Sequence, residues 1–345
     1  MGNLELNQIA SFPKELLEIS VERLYTLFPE PTLLHLQGKR PEPVFVSVLL
    51  HGNESTGLHV IQRLLKKYQH SVLPRSLSIL LANTQAARYG KRTLDGQSDY
   101  NRVWPGTVEP NAQEAIVMQK VVNEMKRRNV FASIDIHNNT GLNPHYACIN
   151  KLENAFLQLA ALFSPTVVYF LRPKGVQSMA FSKLCPAVTL ECGQPDYPSG
   201  TDHALDYINA VLHMQSISND PMLPQDIKLF HTVARIQVPE DVTFSFTDLN
   251  ANILFKRELY KMNFSEIPAD TCFGIVHSNN NARLFAFNDN DEELGEKLFY
   301  INNQQIKLKK PMMPAMLTLD EAVIRQDCFC YLMERLPHPE TPYAN

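Results

Sequence analysis

Residues 44–61 read VFVSVLLHGNESTGLHVI, a strand pattern that passes through a polar turn into a helix pattern. The apolar, β-branched run 44–50 is typical of a strand that is buried on both faces of a sheet. After the turn, Leu58, Ile61 and Leu65 recur at three- and four-residue intervals, which places them on one face of a helix. The segment therefore predicts the first strand–helix unit of an α/β domain.

The same alternation continues to about residue 218. Asn111 and Glu114 have the spacing of a helix N-cap and its reciprocal partner, and they predict a helix with Ile116 on its inward face. Asp202 is the predicted cap of a later helix. Further strand patterns lie at 77–82, 130–136, 166–171 and 187–190. The alternation predicts an α/β sandwich.

The pattern changes at residues 219–221, where Asn-Asp-Pro interrupts the helical periodicity. Beyond this point the segments are short, β-prone and separated by turn residues. They lie at 227–238, 253–260, 273–277, 284–287 and 328–333. We therefore predict an α/β domain over residues 1–218 and a smaller, mostly β C-terminal domain over residues 219–345.

The composition is that of an ordinary globular protein. Of 345 residues, 44% are hydrophobic and 20% charged, which argues against disorder. The 32 basic and 36 acidic side chains leave a net charge of −4, so the basic excess typical of nucleic-acid-binding proteins is missing. No apolar run approaches the ~20 residues that span a bilayer, so we expect no membrane partner. Six scattered cysteines fit reduced thiols in the cytoplasm. The sequence leaves the oligomeric state open, a homo-oligomer included.

Ionisable side chains follow three of the predicted strands at the point where each strand ends. His51 and Glu54 come directly after the first strand. Asp135 and His137 close another, and Glu191 terminates a third. Because ligands bind at the carboxyl ends of the strands in open α/β sheets, we expect these groups to converge.

The residue types at these strand ends suit a zinc ion. His51 and Glu54 are three residues apart across a turn, so an imidazole nitrogen and a carboxylate oxygen can face one point. His137 supplies a third ligand and leaves a fourth position for water, which is the pattern of catalytic rather than structural zinc sites. Asp135 points to the same face of the strand as His137, and it is the alternative ligand or a support for His137.

A long polar stretch, residues 83–110, supplies Arg92, Asn101 and Arg102. Loops of this length inside a compact domain are usually functional, and arginine binds carboxylates through a bidentate fork. The residues alone also allow a simpler interpretation, in which the strand-end groups form ordinary hydrogen bonds and ion pairs and the loop arginines are solvated.

Four motifs together resemble the zinc carboxypeptidase superfamily, and above all its succinylglutamate desuccinylase and aspartoacylase branch. They are HGNESTG at 51–57, NRVWPG at 101–106, DIH at 135–137 and TLECG at 189–193. The motifs cover a small share of the chain, but their joint order is specific. The resemblance implies a mixed central sheet flanked by helices, with a C-terminal β domain that narrows access to the metal.

The resemblance also implies the metal site. His51, Glu54 and His137 would bind one Zn²⁺ per chain, and Glu191 would be the general base and acid. One departure from the motifs is the stretch Asn138-Asn139-Thr140 after His137, where relatives often carry Ser or Thr.

The polar loop would complete the active site that the resemblance implies. Asn101 and Arg102 match a pair that grips a substrate carboxylate, and Arg92 matches the arginine that polarises the scissile carbonyl. The expected activity is zinc-dependent hydrolysis of the amide bond in a small N-acyl amino acid. Two alternatives remain, a metallocarboxypeptidase that acts on peptides and a non-catalytic relative that binds ligands.

Overall fold

The computed structural model describes residues 4–195, 197–223, 225–277 and 282–337. This part of the chain divides into two compact units. The N-terminal unit contains the residues up to Asn138 and His145–Lys228, and the C-terminal unit contains Asn139–Pro144 and Leu229–Pro337. None of the described helices is both long enough and apolar enough to cross a membrane.

Eight strands of the N-terminal unit form one mixed sheet, in the order β1-β2-β4-β3-β5-β8-β6-β7. They are β1 (Asn7–Ile9), β2 (Thr32–Leu36), β3 (Gly38–Val48), β4 (Leu73–Leu81), β5 (Ala132–His137), β6 (Tyr146–Ile149), β7 (Thr166–Tyr169) and β8 (Ala187–Glu191). The central strands β4, β3, β5 and β8 are parallel. Their carboxyl ends therefore lie at one edge of the sheet.

Helices connect these strands. They are α1 (Thr56–Lys67), α2 (Thr84–Ala87), α3 (Gln113–Arg127), α4 (Asn154–Phe163), α5 (Gln177–Phe181) and α6 (Pro198–His213), with 3-10 helices at Lys14–Leu17 and Val21–Thr26. Helix α1 buries Leu58, Ile61 and Leu65, as their spacing predicts. Burial of each such side chain contributes about 1.5–3 kcal/mol to folding, which fixes α1 against the unit's core.

The C-terminal unit is mostly β. Its elements are β9 (Lys228–Gln237), β10 (Phe244–Ser245), β11 (Ile253–Phe255), β12 (Cys272–Val276), β13 (Phe285–Phe287), α7 (Gly295–Leu298), β14 (Phe299–Asn302), β15 (Gln305–Leu308), β16 (Met313–Ala315), α8 (Glu321–Gln326) and β17 (Cys330–Arg335), with a 3-10 helix at Arg257–Met262. One sheet has the order β10-β11-β12-β15-β14, and β9 pairs with β13 and β17. The rings of Phe255 and Phe329 stack in the core of this unit, with their centroids 4.2 Å apart.

The predicted fold class is confirmed, and several local predictions are wrong. Helix α3 begins at Gln113 after Ala112, so Asn111 is not its cap, and Ile116 is 49% exposed. Asp202 lies inside α6, which begins at Pro198. The β-prone segment 253–260 is a strand only as far as Phe255 and continues as a 3-10 helix, while β2, β6, α4 and α5 have no counterpart in the sequence interpretation.

The two units separate at Lys228, ten residues after the last residue of the predicted first domain. The intervening stretch is held to the N-terminal unit by hydrogen bonds. The side chain of Asn154 donates to the Asn219 carbonyl, and that of Gln158 donates to the Asp220 carbonyl. These contacts are tertiary, so the break in periodicity at 219–221 did not reveal them.

His35 on β2 is a partly buried titratable group in this sheet. Its Nδ1 lies 2.9 Å from the Ser78 hydroxyl, and only 10% of its side chain is exposed. Burial, assisted by the nearby positive charge of Arg128, lowers the pKa of His35 to about 4. Since an unfolded histidine has a pKa near 6.5, the unfolded chain takes up this proton first as the pH falls. Stability from neutral His35 is therefore lost as the pH falls below about 6.5.

We expect His35→Gln to remove this loss. Between pH 7.5 and pH 4.5 the wild-type protein should lose about 1–2 kcal/mol more unfolding free energy than the variant, after allowance for solvent around the imidazole. Urea unfolding at the two pH values measures the difference. An equal loss in both proteins would show that His35 is not the responsible group.

Candidate metal and catalytic site

His51, Glu54 and His137 lie together at the carboxyl edge of the N-terminal sheet. The chain leaves β3 at Val48 and turns through a positive φ of 57° at Leu49 before it reaches His51. His137 is the last residue of β5. One possible ligand atom from each of the three residues lies within 4.8 Å of the others, and all three side chains are buried. The structure thus brings together the three residues that the sequence predicts as metal ligands.

Each of the two imidazoles lies between two carboxylates. In His51, Nδ1 is 2.6 Å from Glu54 Oε1 and Nε2 is 3.1 Å from Asp99 Oδ1. In His137, Nδ1 is 2.8 Å from Glu54 Oε2 and Nε2 is 2.9 Å from Asp135 Oδ2. The two Nδ1 atoms, the inner nitrogens, therefore converge on Glu54. The two Nε2 atoms, the outer nitrogens, each contact an aspartate.

This arrangement fits a bound divalent cation. A neutral imidazole carries one N–H, so a ring that donates through Nε2 presents a lone pair at Nδ1. Without a metal, a proton on His137 Nδ1 can join this ring to the Glu54 carboxylate at 2.8 Å, and a divalent cation among the three groups would take the place of that proton. Histidine ligands that donate their other N–H to a carboxylate are the rule in metal sites. Two nitrogens and one carboxylate are a ligand set of catalytic zinc sites, in which water or substrate takes the fourth position.

The charges of these groups support the same conclusion. Burial would raise the pKa of Glu54, but His51 and His137 outweigh it and hold the pKa of this carboxyl well below its usual range. Burial opposes charge on His137 as well, yet Asp135 and Glu54 hold its pKa well above the usual value. The carboxylates thus create a strongly negative pocket that favours a cation.

Asp99 is a residue of this site that the sequence analysis missed. One carboxylate oxygen, Oδ1, contacts His51 and also accepts the backbone N–H of Asn101 at 2.7 Å. The other accepts Nη2 and Nε of Arg92 at 3.0 and 3.3 Å. Burial would raise its pKa, but His51 and the arginines hold it well below the usual range. The available signal was an acidic residue two positions before the Asn-Arg pair.

We expect Asp99→Asn to weaken zinc binding by about 10–100-fold, the usual effect of removing a carboxylate that orients a histidine ligand. The neutral asparagine amide keeps the shape of the aspartate side chain. It lacks the negative charge that interacts with both His51 and Arg92. Competition with a chromophoric chelator measures the affinity. Asp95→Asn, whose exposed carboxylate contacts Lys91, is the control. Unchanged zinc affinity in Asp99→Asn would show that Asp99 does not support the metal ligands.

Glu191 lies on β8, the strand that pairs with β5 and its last residue His137. It is the last residue of β8, and it is the register partner of His137 on β5. Cross-strand partners point to the same face of a sheet, so the two side chains share one face. Glu191 is only 7% exposed, and the backbone N–H of Cys192 donates to the His137 carbonyl at 3.0 Å.

Tight backbone contacts hold the polar loop in place. The Arg92 carbonyl accepts the N–H of Gly52 at 3.1 Å, and a Cβ at Gly52 would lie 2.2 Å from the Ala87 nitrogen. At Gly175 (φ +75°), a Cβ would lie 2.1 Å from the Arg102 carbonyl oxygen. Arg102 Nη1 donates to the carbonyl of its neighbour Asn101 at 2.8 Å. Glycines at both positions allow the loop to approach this closely.

Comparison with known families decides the affiliation. Residues 42–217, half of the chain, match the succinylglutamate desuccinylase/aspartoacylase catalytic domain. The chain belongs to this family. The resemblance predicted from the four motifs is therefore confirmed, and members of the succinylglutamate desuccinylase/aspartoacylase family are deacylases. A search of curated protein sequences finds no match.

Solved structures with the same fold include family members. Succinylglutamate desuccinylase from Chromobacterium violaceum is 17% identical with a TM-score of 0.55, and the alignment covers 87% of each chain. A succinylglutamate desuccinylase/aspartoacylase from Rhodobacter sphaeroides is 14% identical, with a TM-score of 0.56 and 88% coverage of each chain. Murine aminoacylase 3 is 13% identical, with a TM-score of 0.57 over 86% of this chain and 96% of its own. At these identities the similarity shows the fold.

Proposed function

We propose that this protein is a zinc-dependent hydrolase that cleaves the amide bond of a small N-acyl amino acid. The observation that carries the proposal is the convergence of His51, Glu54 and His137, with the outer imidazole nitrogens held by Asp99 and Asp135. Family membership supports the reaction class. The names of the structural relatives, succinylglutamate desuccinylase and aminoacylase, support an acyl amino acid as substrate.

His51, Glu54 and His137 would hold one zinc ion through Nδ1, a carboxylate oxygen and Nδ1. Bound zinc supplies Lewis-acid chemistry, which lowers the pKa of a coordinated water and polarises a carbonyl. The role of the three side chains is to fix this charge at the carboxyl edge of the sheet. Asp99 and Asp135 keep each inner nitrogen available as a ligand by accepting the outer N–H.

Glu191 would carry the proton in the reaction. Its carboxylate takes one proton from the attacking water, whose oxygen forms a bond with the amide carbon. When the carbon–nitrogen bond breaks, Glu191 returns this proton to the leaving amine, and a carboxylic acid and an amine result. The position of Glu191 supports this role, because it ends β8 and is the register partner of His137 on the neighbouring strand β5.

The polar loop would bind and orient the substrate. Asn101 and Arg102 would hold the substrate carboxylate, for which the planar guanidinium fork is suited. Arg92 would stabilise the oxyanion that develops on the scissile carbonyl. Because Asp99 accepts two N–H groups of Arg92, the plane of that guanidinium is fixed before substrate binds. We further propose that the C-terminal β unit restricts the site to small substrates.

A screen of substrate classes with the zinc-loaded protein tests this function. N-succinyl, N-acetyl and N-aspartyl-type amino acids should be hydrolysed, and peptides should not, with about one zinc bound per chain. Faster cleavage of C-terminal peptide bonds would favour the metallocarboxypeptidase alternative. A protein that binds zinc but hydrolyses neither class would be a non-catalytic ligand-binding relative. A purified, unchelated protein with no measurable zinc affinity would refute the proposal.

A further inference from the structure

A buried amide beside the site has no part in the mechanism above. Asn138 follows His137 and is 4% exposed. Its backbone N–H donates to Glu54 Oε2 at 3.1 Å. Its side-chain Oδ1 accepts the backbone N–H of Thr56 at 3.3 Å, and Nδ2 donates to the Thr56 hydroxyl and to the Gly193 carbonyl, both at 2.9 Å. The side-chain amide thus uses its oxygen once and both of its N–H groups.

The partners of Asn138 come from the other two segments of the site. Glu54 and Thr56 belong to the segment after β3, and Gly193 lies two residues after Glu191 at the end of β8. Asn138 itself follows β5. One side chain therefore joins the three strand ends that carry the metal-binding residues and the proposed base.

The contact with Thr56 also replaces a local helix cap. Helix α1 begins at Thr56, and the side chain of Ser55 at its N-cap position makes no capping hydrogen bond. The side-chain Oδ1 of Asn138 accepts the backbone N–H of Thr56, one of the N–H groups that are unpaired at every helix start. The position of α1 and of the Glu54 turn before it therefore depends on a residue from a different strand.

We propose that Asn138 is a positioning residue that sets the separation between the ligand carboxylate of Glu54 and the carboxylate of Glu191. The inference rests on the proposed function for the role of Glu191. Aspartate at this position has the same shape but cannot donate to the Gly193 carbonyl, and alanine makes none of the three side-chain hydrogen bonds. Only an amide satisfies all partners in this orientation.

Asn150 offers a matched control. It is also buried, at 9% exposure, and its side chain joins two segments through a hydrogen bond to the Phe170 carbonyl. It follows β6, which runs antiparallel to β8 with Tyr146 opposite Glu191, so Asn150 lies toward the other edge of the sheet. If the role of Asn138 were purely structural, Asn138→Ala and Asn150→Ala would have similar effects on zinc affinity and on melting temperature.

The test compares zinc affinity by chelator competition with melting temperature and steady-state kinetics. Asn138→Ala should bind zinc about 10–100-fold more weakly and show a lower kcat, with KM changed less than threefold because Asn101 and Arg102 are untouched. Asn150→Ala should lower the melting temperature but keep the zinc affinity within twofold of wild type. Equal zinc affinities in the two alanine variants would overturn the proposal.

A second pair of variants keeps the test decisive if Asn138→Ala fails to fold. Asn138→Asp preserves the shape and should also weaken zinc binding at least tenfold. Thr56→Val removes only the hydroxyl that accepts from Asn138 Nδ2, so it should weaken zinc binding less than Asn138→Asp does. Wild-type zinc affinity in Asn138→Asp would overturn the positioning role.

The zinc measurement separates this inference from the proposed function. If the wild type binds zinc but hydrolyses no N-acyl amino acid, the deacylase proposal fails, while the zinc affinities still decide the role of Asn138. If the wild type has no zinc affinity, both proposals are refuted.

Discussion

Replacing Glu191 with glutamine is expected to lower kcat by about 10²–10⁴-fold, the usual contribution of a general acid–base group, while zinc stays bound. Glutamine has nearly the same size but cannot accept a proton from the attacking water. Glu191 is separate from the His51, Glu54 and His137 group, so the metal affinity should change less than threefold. Steady-state kinetics on the N-acyl amino acid found in the screen, together with metal analysis of the same sample, measure both quantities.

Glu153→Gln is the matched control, because Glu153 is an exposed carboxylate of the same unit whose contact is with Lys151. It should leave kcat within twofold of wild type. A Glu191→Gln variant with normal turnover would exclude Glu191 as the base. A variant that loses its zinc would instead show that Glu191 contributes to metal binding.

The residues of the site were largely predictable, since three of its elements are strand ends. A continuous apolar run such as 44–50 identifies a buried strand from sequence alone, and the first polar residues after it mark the carboxyl edge. Parallel strands share that edge, so His51, His137 and Glu191 could be brought together before any distance was known. The structure places Glu191 in register with His137.

The supporting residues could not be predicted in the same way, because their partners are distant in the chain and are chosen by the folded loops. Asp99 contacts His51 across 48 positions, and Asn138 contacts Thr56 across 82. Local signals failed for a related reason: the Asn111–Glu114 spacing suits a capping box, yet α3 begins at Gln113. Residue spacing indicates which local structures a segment can form on its own, whereas tertiary contacts decide which of these structures it adopts.

His51→Ala is expected to lower zinc affinity by at least about 1,000-fold, equivalent to about 4 kcal/mol, and to abolish turnover. The substitution removes one of the two proposed nitrogen ligands, and it leaves the partly buried Asp99 carboxylate without its contact to the imidazole Nε2. Chelator competition measures the affinity, and metal analysis after dialysis checks occupancy.

His70→Ala is the control for His51→Ala, because His70 is an exposed histidine in the turn after α1. Its zinc affinity should equal that of the wild type. If the loss is that of a ligand, free imidazole should restore part of the zinc affinity of His51→Ala. The small molecule can then supply the missing nitrogen to the zinc ion beside Glu54 and His137. Zinc binding by His51→Ala at the wild-type level would mean that the His51 imidazole is not a ligand and that its contact with Glu54 is a simple hydrogen bond.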